Sequence, residues 1–220
     1  MDAVNTGGKP SGRRSRTNDP ERTKADIITV ATAEFSSNGL SGARVDAIAE
    51  KTRTSKRMIY YYFGSKEGLY LAVLEQAYAE IRAIEESLRL DSLDPEPAIR
   101  QLEEMTFDYD EAHPDFIRLV GIENIHKAEH LAGSSVIRDM NLSIIATIRA
   151  VLARGCEAEL FRPGVDPIDL HLMISAFCFF RVANRHTFGA IFGRDLLDPA
   201  SRAHYRTMVA DMVAGYLQRP

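Results

Sequence analysis

Apolar residues between positions 45 and 67 recur with the spacing of two short helices separated by a polar turn. The first helix carries its apolar residues at i, i+3 and i+4: Val45, Ile48 and Ala49. The apolar rhythm stops over residues 52–54 and resumes with Ile59 and Phe63. Two short helices joined by a tight polar turn are the outline of a helix-turn-helix, so the pattern predicts that motif here.

The second of these helices has an outward face without acidic residues. When Ile59 and Phe63 are set toward the core at about 100° per residue, the side chains that point outward or flank that direction are Lys56, Arg57, Met58, Tyr60 and Tyr61. Cations and flat rings suit phosphates, base acceptors and thymine methyls in a DNA major groove. Taken alone, the same pattern also fits a solvated helix whose aromatic residues pack on a neighbour.

A wider set of residues at fixed gaps decides between these two interpretations. The set is Ile27, Ile28, Ala31, Phe35, Gly39, Val45, Ile48, Ala49, Ser55, Lys56, Ile59, Tyr60, Tyr61, Tyr62, Phe63, Ser65, Lys66 and Glu67. With these residues, segment 23–74, about a quarter of the chain, resembles the DNA-binding domain of the TetR family of bacterial transcriptional regulators. The resemblance implies a DNA-binding regulator, usually a repressor, that acts as a homodimer on a palindromic operator and responds to a small molecule.

Two residues depart from the family pattern. Arg53 stands where the turn usually has glycine, which costs backbone ease if the position needs a positive φ. Arg44 stands where Ser or Thr usually opens the second helix, so a side-chain cap worth about 1 kcal/mol is lost. Both changes add a cation near the expected DNA surface.

The expected DNA contacts divide into two groups. Arg57, Met58 and Tyr61 are expected at base edges. The residues expected at phosphates are Arg44, Tyr60, Tyr62 and Lys66, and Ser55 and Lys56 complete the predicted DNA-binding set. Tyr62 has the weaker claim, since it also fits a half-buried place beside Phe63.

The remaining chain predicts only helices. Pro20 opens the first, which ends near residues 38–39, and the fourth runs over about 65–90. Later helices are expected to end near residues 112, 131, 160 and 189–193, with a final helix over 199–217. We therefore predict an all-α protein of about nine helices. We expect residues 1–18 to form a disordered basic arm, 19–66 the helix-turn-helix domain and 67–220 a helical effector-binding and dimerisation domain.

The last two helices are the expected dimer interface, as the family resemblance implies. The eighth helix is apolar on both faces, and one face is small and aromatic. The candidate interface residues are Leu172, Ala176, Phe179, Ala183, Tyr205, Val209, Met212 and Tyr216. A helix buried on two sides also fits an ordinary intrachain core, which is the alternative.

An enclosed effector pocket is expected among the middle helices. Its candidate lining is Tyr109, Phe116, Val120, Glu123, Phe177, Arg181 and Asn184. Glu123 and Arg181 stand inside apolar stripes, and a buried charge needs a partner. They either pair with each other or anchor an effector. A free Arg181 favours an acidic one.

Charge and composition support this division and argue against other classes. The chain has 220 residues, 45% of them hydrophobic and 26% charged. Residues 1–66 hold 12 Lys/Arg against 7 Asp/Glu, a net +5, whereas 67–220 hold 15 against 24, a net −9. A basic N-terminal part joined to an acidic C-terminal part is typical of a DNA-binding protein with a separate regulatory domain. No apolar run of about 18 residues occurs, and no apolar signal core, so a cytoplasmic protein that does not span a membrane is expected.

An enzyme is the alternative outside transcription. Glu123 and His126 form a Glu-x-x-His, which places two metal ligands on one helix face in di-iron bundles. Such bundles need a second copy of the motif, and the six histidines supply none. We expect no enzyme, no metal and no cofactor. A ligand-independent regulator or an activator stays open.

Overall fold

The computed structural model describes residues 19–219, and within that range the regular secondary structure is entirely helical. The ten α-helices are α1 Pro20–Gly42, α2 Val45–Thr52, α3 Lys56–Phe63, α4 Lys66–Ser87, α5 Pro95–Ala112, α6 Pro114–Ile125, α7 Ser135–Glu157, α8 Pro167–Ala183, α9 Arg185–Phe192 and α10 Arg202–Leu217. Short 3₁₀ turns occupy Leu90–Ser92, Leu131–Gly133 and Pro199–Ser201. The all-α prediction is confirmed. The predicted basic arm lies outside the described residues.

The first helix begins and ends near the residues that the sequence predicts. The Asp19 carboxylate accepts hydrogen bonds from the backbone N–H groups of Glu21 and Arg22, and Pro20 has no N–H that would need an acceptor in the first turn. Gly39 interrupts the helix with φ 67° and ψ 174°. Only glycine adopts that conformation without strain, so the regular part of α1 ends at the predicted place.

Two predicted helix ends are wrong. The sixth helix ends at Ile125, not near residue 131, because Lys127 and Ala128 both take positive φ values, 57° and 58°. The predicted eighth helix is two helices, α8 and α9, which meet at Asn184 with φ −104° and ψ 7°. The described chain therefore has ten helices where about nine were expected.

Two apolar cores organise the fold, and α4 is placed to connect them. The first core joins α1, α2, α3 and the N-terminal half of α4, and it also takes in Leu119 of α6 and Ile137 of α7. The second core joins α5, α7, α8 and α10, with Leu90, Phe161 and Leu196 from the connections. Residues of the body thus complete the core beneath the two short DNA-reading helices.

Phe161, in the loop after α7, belongs to the second core and packs against Gly155 of α7. It is 3% exposed, and a Cβ at Gly155 would overlap its ring. The loop that follows α7 can therefore fold back on its own helix only if that helix position has no side chain. In contrast, a Cβ at Gly121 of α6 would meet nothing within 4 Å.

These two helical glycines give a matched test of the packing. Gly155→Ala is expected to lower the free energy of unfolding by about 1–3 kcal/mol, because the Phe161 ring must move in a filled core. Gly121→Ala is expected to be neutral or to add up to about 1 kcal/mol through helix propensity. Urea unfolding followed by circular dichroism measures both. Equal effects at the two positions would contradict this account of Phe161.

Candidate DNA-binding surface and ligand sites

The turn between α2 and α3 is built by a strained arginine and a serine cap. Arg53 has φ 53° and ψ 35°, the left-handed conformation, and its N–H bonds the carbonyls of Ala49 and Glu50. Ser55 caps α3, its hydroxyl accepting from the N–H of Met58 at 3.2 Å. Arg44, at the start of α2, makes no side-chain cap bond. The departures at 44 and 53 therefore have the expected local consequences.

Three side chains of α3 form an exposed outward surface, which we call the recognition face: Arg57, Tyr60 and Tyr61. Tyr61 is 77% exposed and Tyr60 43%, whereas Ile59 on the other side is 1% exposed in the first core. Met58 is half-buried at the edge of this face. An exposed tyrosine is unusual unless it has a binding partner, so this face is the strongest candidate for contact with DNA bases.

Several predicted phosphate contacts already have partners within the chain. The Lys56 ammonium lies 2.5 Å from the Asp46 carboxylate of α2. Lys66 donates to the Ser41 carbonyl at 3.3 Å. Tyr62 packs edge-on to Tyr61 with its ring centroid 5.7 Å from the Lys24 ammonium. These contacts hold α3 and the start of α4 in place.

Glu34 fixes the loop that leads into the helix-turn-helix. It is 7% exposed, and its carboxylate accepts from the Arg44 N–H at 3.2 Å and the Asn38 amide at 3.1 Å. Lys51 of α2 lies 3.5 Å away on the other oxygen. The Arg44 side chain remains exposed, so its cation is free to face a phosphate. Sequence reasoning missed Glu34, which occupies an ordinary helix position.

Glu123 has a structural role beside the first core. It is 2% exposed and accepts from the Leu131 N–H at 3.0 Å and from His130 Nδ1 at 3.2 Å. The His130 ring in turn meets the Tyr70 ring of α4 edge-on. The carboxylate thus holds the chain after α6 against α4. His126 is exposed, and within residues 19–219 no group of three or more His, Cys, Asp or Glu residues is arranged to hold a metal.

Arg181 is engaged elsewhere and does not pair with Glu123. Its guanidinium bonds Glu111 and the Leu196 carbonyl, both at 3.2 Å, and stacks 3.8 Å above the Phe107 ring. Arg202 of α10 joins the same Glu111 carboxylate. Glu111 neutralises the charge of Arg181 and the Phe107 ring covers one face of the guanidinium, whereas Arg181 Nε and Nη1 have no hydrogen-bond partner within the described residues.

The predicted effector residues lie in several separate places, so they do not enclose one cavity. Tyr109 and Phe116 lie edge-to-face at 5.8 Å near α4. Phe177 and Arg181 line a groove between α8 and α10. Asn184 stands at the break between α8 and α9. The pattern on each helix was correct, but the sequence contains no information on which helix faces meet.

A buried ion pair on α4 is the polar feature that the sequence did not reveal. Arg82 is 8% exposed and Glu85 5%, with Arg82 Nη1 2.6 Å from Glu85 Oε2, and Arg82 Nε has no hydrogen-bond partner in the described chain. Burial raises the pKa of Glu85 to about 7 despite the lowering effect of Arg82. A cavity of about 170 Å³ opens beside the pair, against Met140, Ser143 and Thr147 of α7.

An apolar groove of about 820 Å³ runs between α8 and α10, and we call it the α8–α10 groove. Exposed apolar residues around it are Leu172 (62%), Phe180 (47%), Met208 (43%) and Met212 (42%). Among the other predicted interface residues, Ala176 and Ala183 are exposed, and Phe179 and Tyr216 are half-buried. The prediction that Val209 lies on the interface surface is wrong, because it is 1% exposed in the second core. Tyr205 is 6% exposed at the edge of the groove. None of the described helices combines the length and apolarity needed to cross a membrane.

Comparison with known proteins identifies related bacterial regulators. A family model of the bacterial regulatory proteins of the tetR family matches residues 27–73, and one of the tetracyclin repressor-like C-terminal domain matches 95–213. The HTH-type transcriptional repressor NicS of Pseudomonas putida is 35% identical over 204 residues, 93% of this chain and 96% of NicS. The regulator RutR of Escherichia coli K12 is 30% identical over 76% of each chain.

The solved structures agree with the sequence matches. The transcriptional regulator SCO4942 from Streptomyces coelicolor superposes with a TM-score of 0.67 at 27% identity, covering 90% of this chain and 99% of that chain. One family model covers more than half of the chain, NicS is related over nearly its whole length, and the exposed α3 lies at the expected place. The chain belongs to the TetR family of bacterial transcriptional regulators.

Proposed function

We propose that the protein is a transcriptional repressor that binds a palindromic operator as a homodimer and is released from it by a small molecule. The observation that carries the proposal is the recognition face of α3, which exposes Arg57, Tyr60 and Tyr61 without an acidic residue on the helix. The name of NicS, a transcriptional repressor related over nearly the full chain, supports the same function.

The cations around α3 suit a phosphate backbone on either side of the recognition face. Arg44 and Arg53 stand at the two ends of α2, and both are exposed. Lys56 is held by Asp46, so its charge is partly neutralised on the protein. Phosphate contacts of this kind position a protein on the duplex, while the groove contacts of Arg57 and Tyr61 read the sequence.

The base-reading role of Arg57 has a direct test. Arg57→Ala is expected to weaken operator binding by about 1–3 kcal/mol and to relax preference at one base position, because a bidentate contact to guanine is lost. Arg149→Ala, which removes an exposed arginine of α7, is the control and is expected to change nothing. Fluorescence anisotropy with operator variants measures both. Unchanged specificity of the Arg57 variant across salt concentrations would refute the orientation of α3.

The α8–α10 groove suits a second copy of the chain. Exposed apolar patches of this size on a protein surface mark interaction sites, since monomers rarely leave them in water. A two-fold dimer through this groove would place two α3 helices on one side of the assembly. Half-sites about 34 Å apart, one turn of DNA, or a multiple of that distance would then be read together.

Two leucines of nearly equal exposure test this interface. Leu172→Glu, at a 62% exposed position in the groove, is expected to give monomers and to weaken operator binding strongly, because a carboxylate would be buried against the partner. Leu142→Glu, at a 61% exposed position on α7, is expected to leave the mass of the dimer unchanged. Sedimentation velocity and operator titration give the two readings. A dimeric Leu172→Glu protein with full affinity would exclude this interface.

We place the effector beside Arg82. A guanidinium that is over nine-tenths buried and has a free Nε attracts an anion, and the adjacent cavity provides room for a small molecule. Tyr109 of α5 and His171 of α8 lie near the same charge, and burial with the Arg82 cation lowers the pKa of His171. An acidic effector remains the proposal, with Arg82 as the anchor instead of Arg181.

Arg82 lies on α4, so an effector bound beside it can act on the position of α3 through that helix. The helix begins at Lys66, next to α3, and Arg82 lies sixteen residues further on, roughly 24 Å along one rigid element. A ligand that favours one position of α4 would change the separation of the two recognition helices. Effector and operator must then weaken one another equally, by about 1–3 kcal/mol, as linkage requires.

The effect of pH follows from the charge on Glu85. Below its pKa of about 7, Glu85 is protonated and no longer neutralises Arg82, so an effector carboxylate is expected to bind more tightly at pH 6 than at pH 8. Small carboxylates found in a thermal-shift screen, titrated by calorimetry at both pH values, supply the measurement. Arg82→Gln should abolish binding, and Glu85→Gln should reduce the dependence on pH, with Asp110, whose pKa burial also raises to about 7, as the remaining titrating neighbour. A carboxylate that binds Arg82→Gln as well as the wild type would exclude this anchor.

A further inference from the structure

A second polar side chain, Glu103 of α5, is buried without a partner at the far end of the body. It is 4% exposed, and within residues 19–219 it makes no hydrogen bond and no ion pair shorter than 4.0 Å. Burial raises the pKa of this carboxyl to about 8, more than Arg100 lowers it. Ionising this carboxyl without a donor is costly, so only a cationic partner from outside the described chain would hold it as a carboxylate near neutral pH.

Glu103 lies where two cavities between α5 and α10 meet. One cavity measures about 150 Å³ and the other about 270 Å³, and Arg100, Glu103 and Ala210 belong to the walls of both. Ala210 stands on α10, where its small side chain leaves the space open. The carboxylate is therefore reached from a cleft, and it is not sealed inside the second core.

The remaining walls of the smaller cavity are apolar on one side and charged at the rim. Ile99, Phe161, Val213 and Leu217 are each at most 4% exposed and form its floor. The charged residues at its rim are Glu96 and Arg100 of α5, and the larger cavity adds Glu104 of α5 and Arg206 and Asp211 of α10. Arg206 is already paired with Glu104 and Asp108, at 3.2 and 3.4 Å. Arg100 is exposed and is the cation nearest to Glu103 in sequence.

We propose that this cleft is a binding site for a small organic amine, with Glu103 accepting from the ammonium group and the apolar floor holding the hydrocarbon part. A protonated amine supplies the hydrogen-bond donors and the opposite charge that the described chain does not place against Glu103. Apolar walls combined with a few polar groups that fix the orientation of the ligand are the usual design of a small-molecule site. The site is separate from the cavity beside Arg82 and selects the opposite charge.

The location on α10 gives the site a structural consequence. The same helix turns Met208, Met212 and Tyr216 toward the α8–α10 groove and Ala210, Val213 and Leu217 toward the cleft. A molecule between α5 and α10 therefore contacts the back of the helix whose front is the proposed dimer surface.

Benzylamine is the probe that tests the proposal, with benzyl alcohol and benzoate as matched neutral and anionic compounds. Titration by calorimetry or by NMR shifts is expected to show binding of benzylamine, with benzyl alcohol weaker by roughly 10-fold or more and no binding of benzoate. Absence of benzylamine binding, or equal binding of the three compounds, would overturn the proposal.

Two substitutions locate the binding. Glu103→Gln is expected to weaken benzylamine binding by roughly 10-fold or more, because the amide cannot become an anion opposite the ammonium, while the protein stays folded, because the amide has nearly the same size. Ala210→Leu should block the cleft and keep the carboxylate. Glu80→Gln, which removes an exposed carboxylate of α4, is the control. Thermal unfolding checks that each variant is folded, and unchanged benzylamine affinity in both Glu103→Gln and Ala210→Leu would exclude the site.

Discussion

The packing of α4 into the core beneath the helix-turn-helix is the contact on which the rest of this structure depends. Leu69, Tyr70 and Val73 of α4 are fully buried with Phe35 of α1 and Ile59 of α3. Helices of eight residues are marginal by themselves in water, so α3 depends on α4 and α2 depends on α1 and α3. The orientation of α3 is consequently set by α4, and a displacement of α4 displaces α3.

Charge is distributed along α4 in keeping with this double role. Its first turn bonds the loop of the DNA-binding module through Lys66, and Glu75 in its middle accepts from the Ser134 hydroxyl that caps α7. Near its end lies the Arg82–Glu85 pair, surrounded by apolar residues of the body. A buried pair contributes little net stability, because desolvation offsets the attraction. Under the proposed function, a change in the charge of the Arg82–Glu85 pair would alter the position of α4.

Local patterns in the sequence were sufficient for the helix-turn-helix but not for the body. Ile59 inside and Tyr61 outside follow from the helical period alone, and the caps at Asp19 and Ser55 follow from residue type. The partners of Arg181 do not, because Glu111 and Leu196 come from other elements and only the tertiary fold brings them together. Val209 fits a surface stripe by its spacing, yet it is buried because α10 packs on α5 and α8. Glu103 and Arg82 appear ordinary in sequence, since burial of a charge is decided by the neighbouring helix.

The left-handed Arg53 has a consequence for how the protein finds its operator. Glycine would adopt φ 53° without strain, so an arginine at this turn gives up folding free energy for a charge next to the reading helix. A cation held at the tip of a basic module attached to an acidic body makes the molecule an oriented dipole. The electrostatic field of DNA would turn such a dipole during approach, with the basic end leading, so that productive encounters become more frequent at low ionic strength. A strained turn is thus a contribution to the rate of search as well as to the strength of binding.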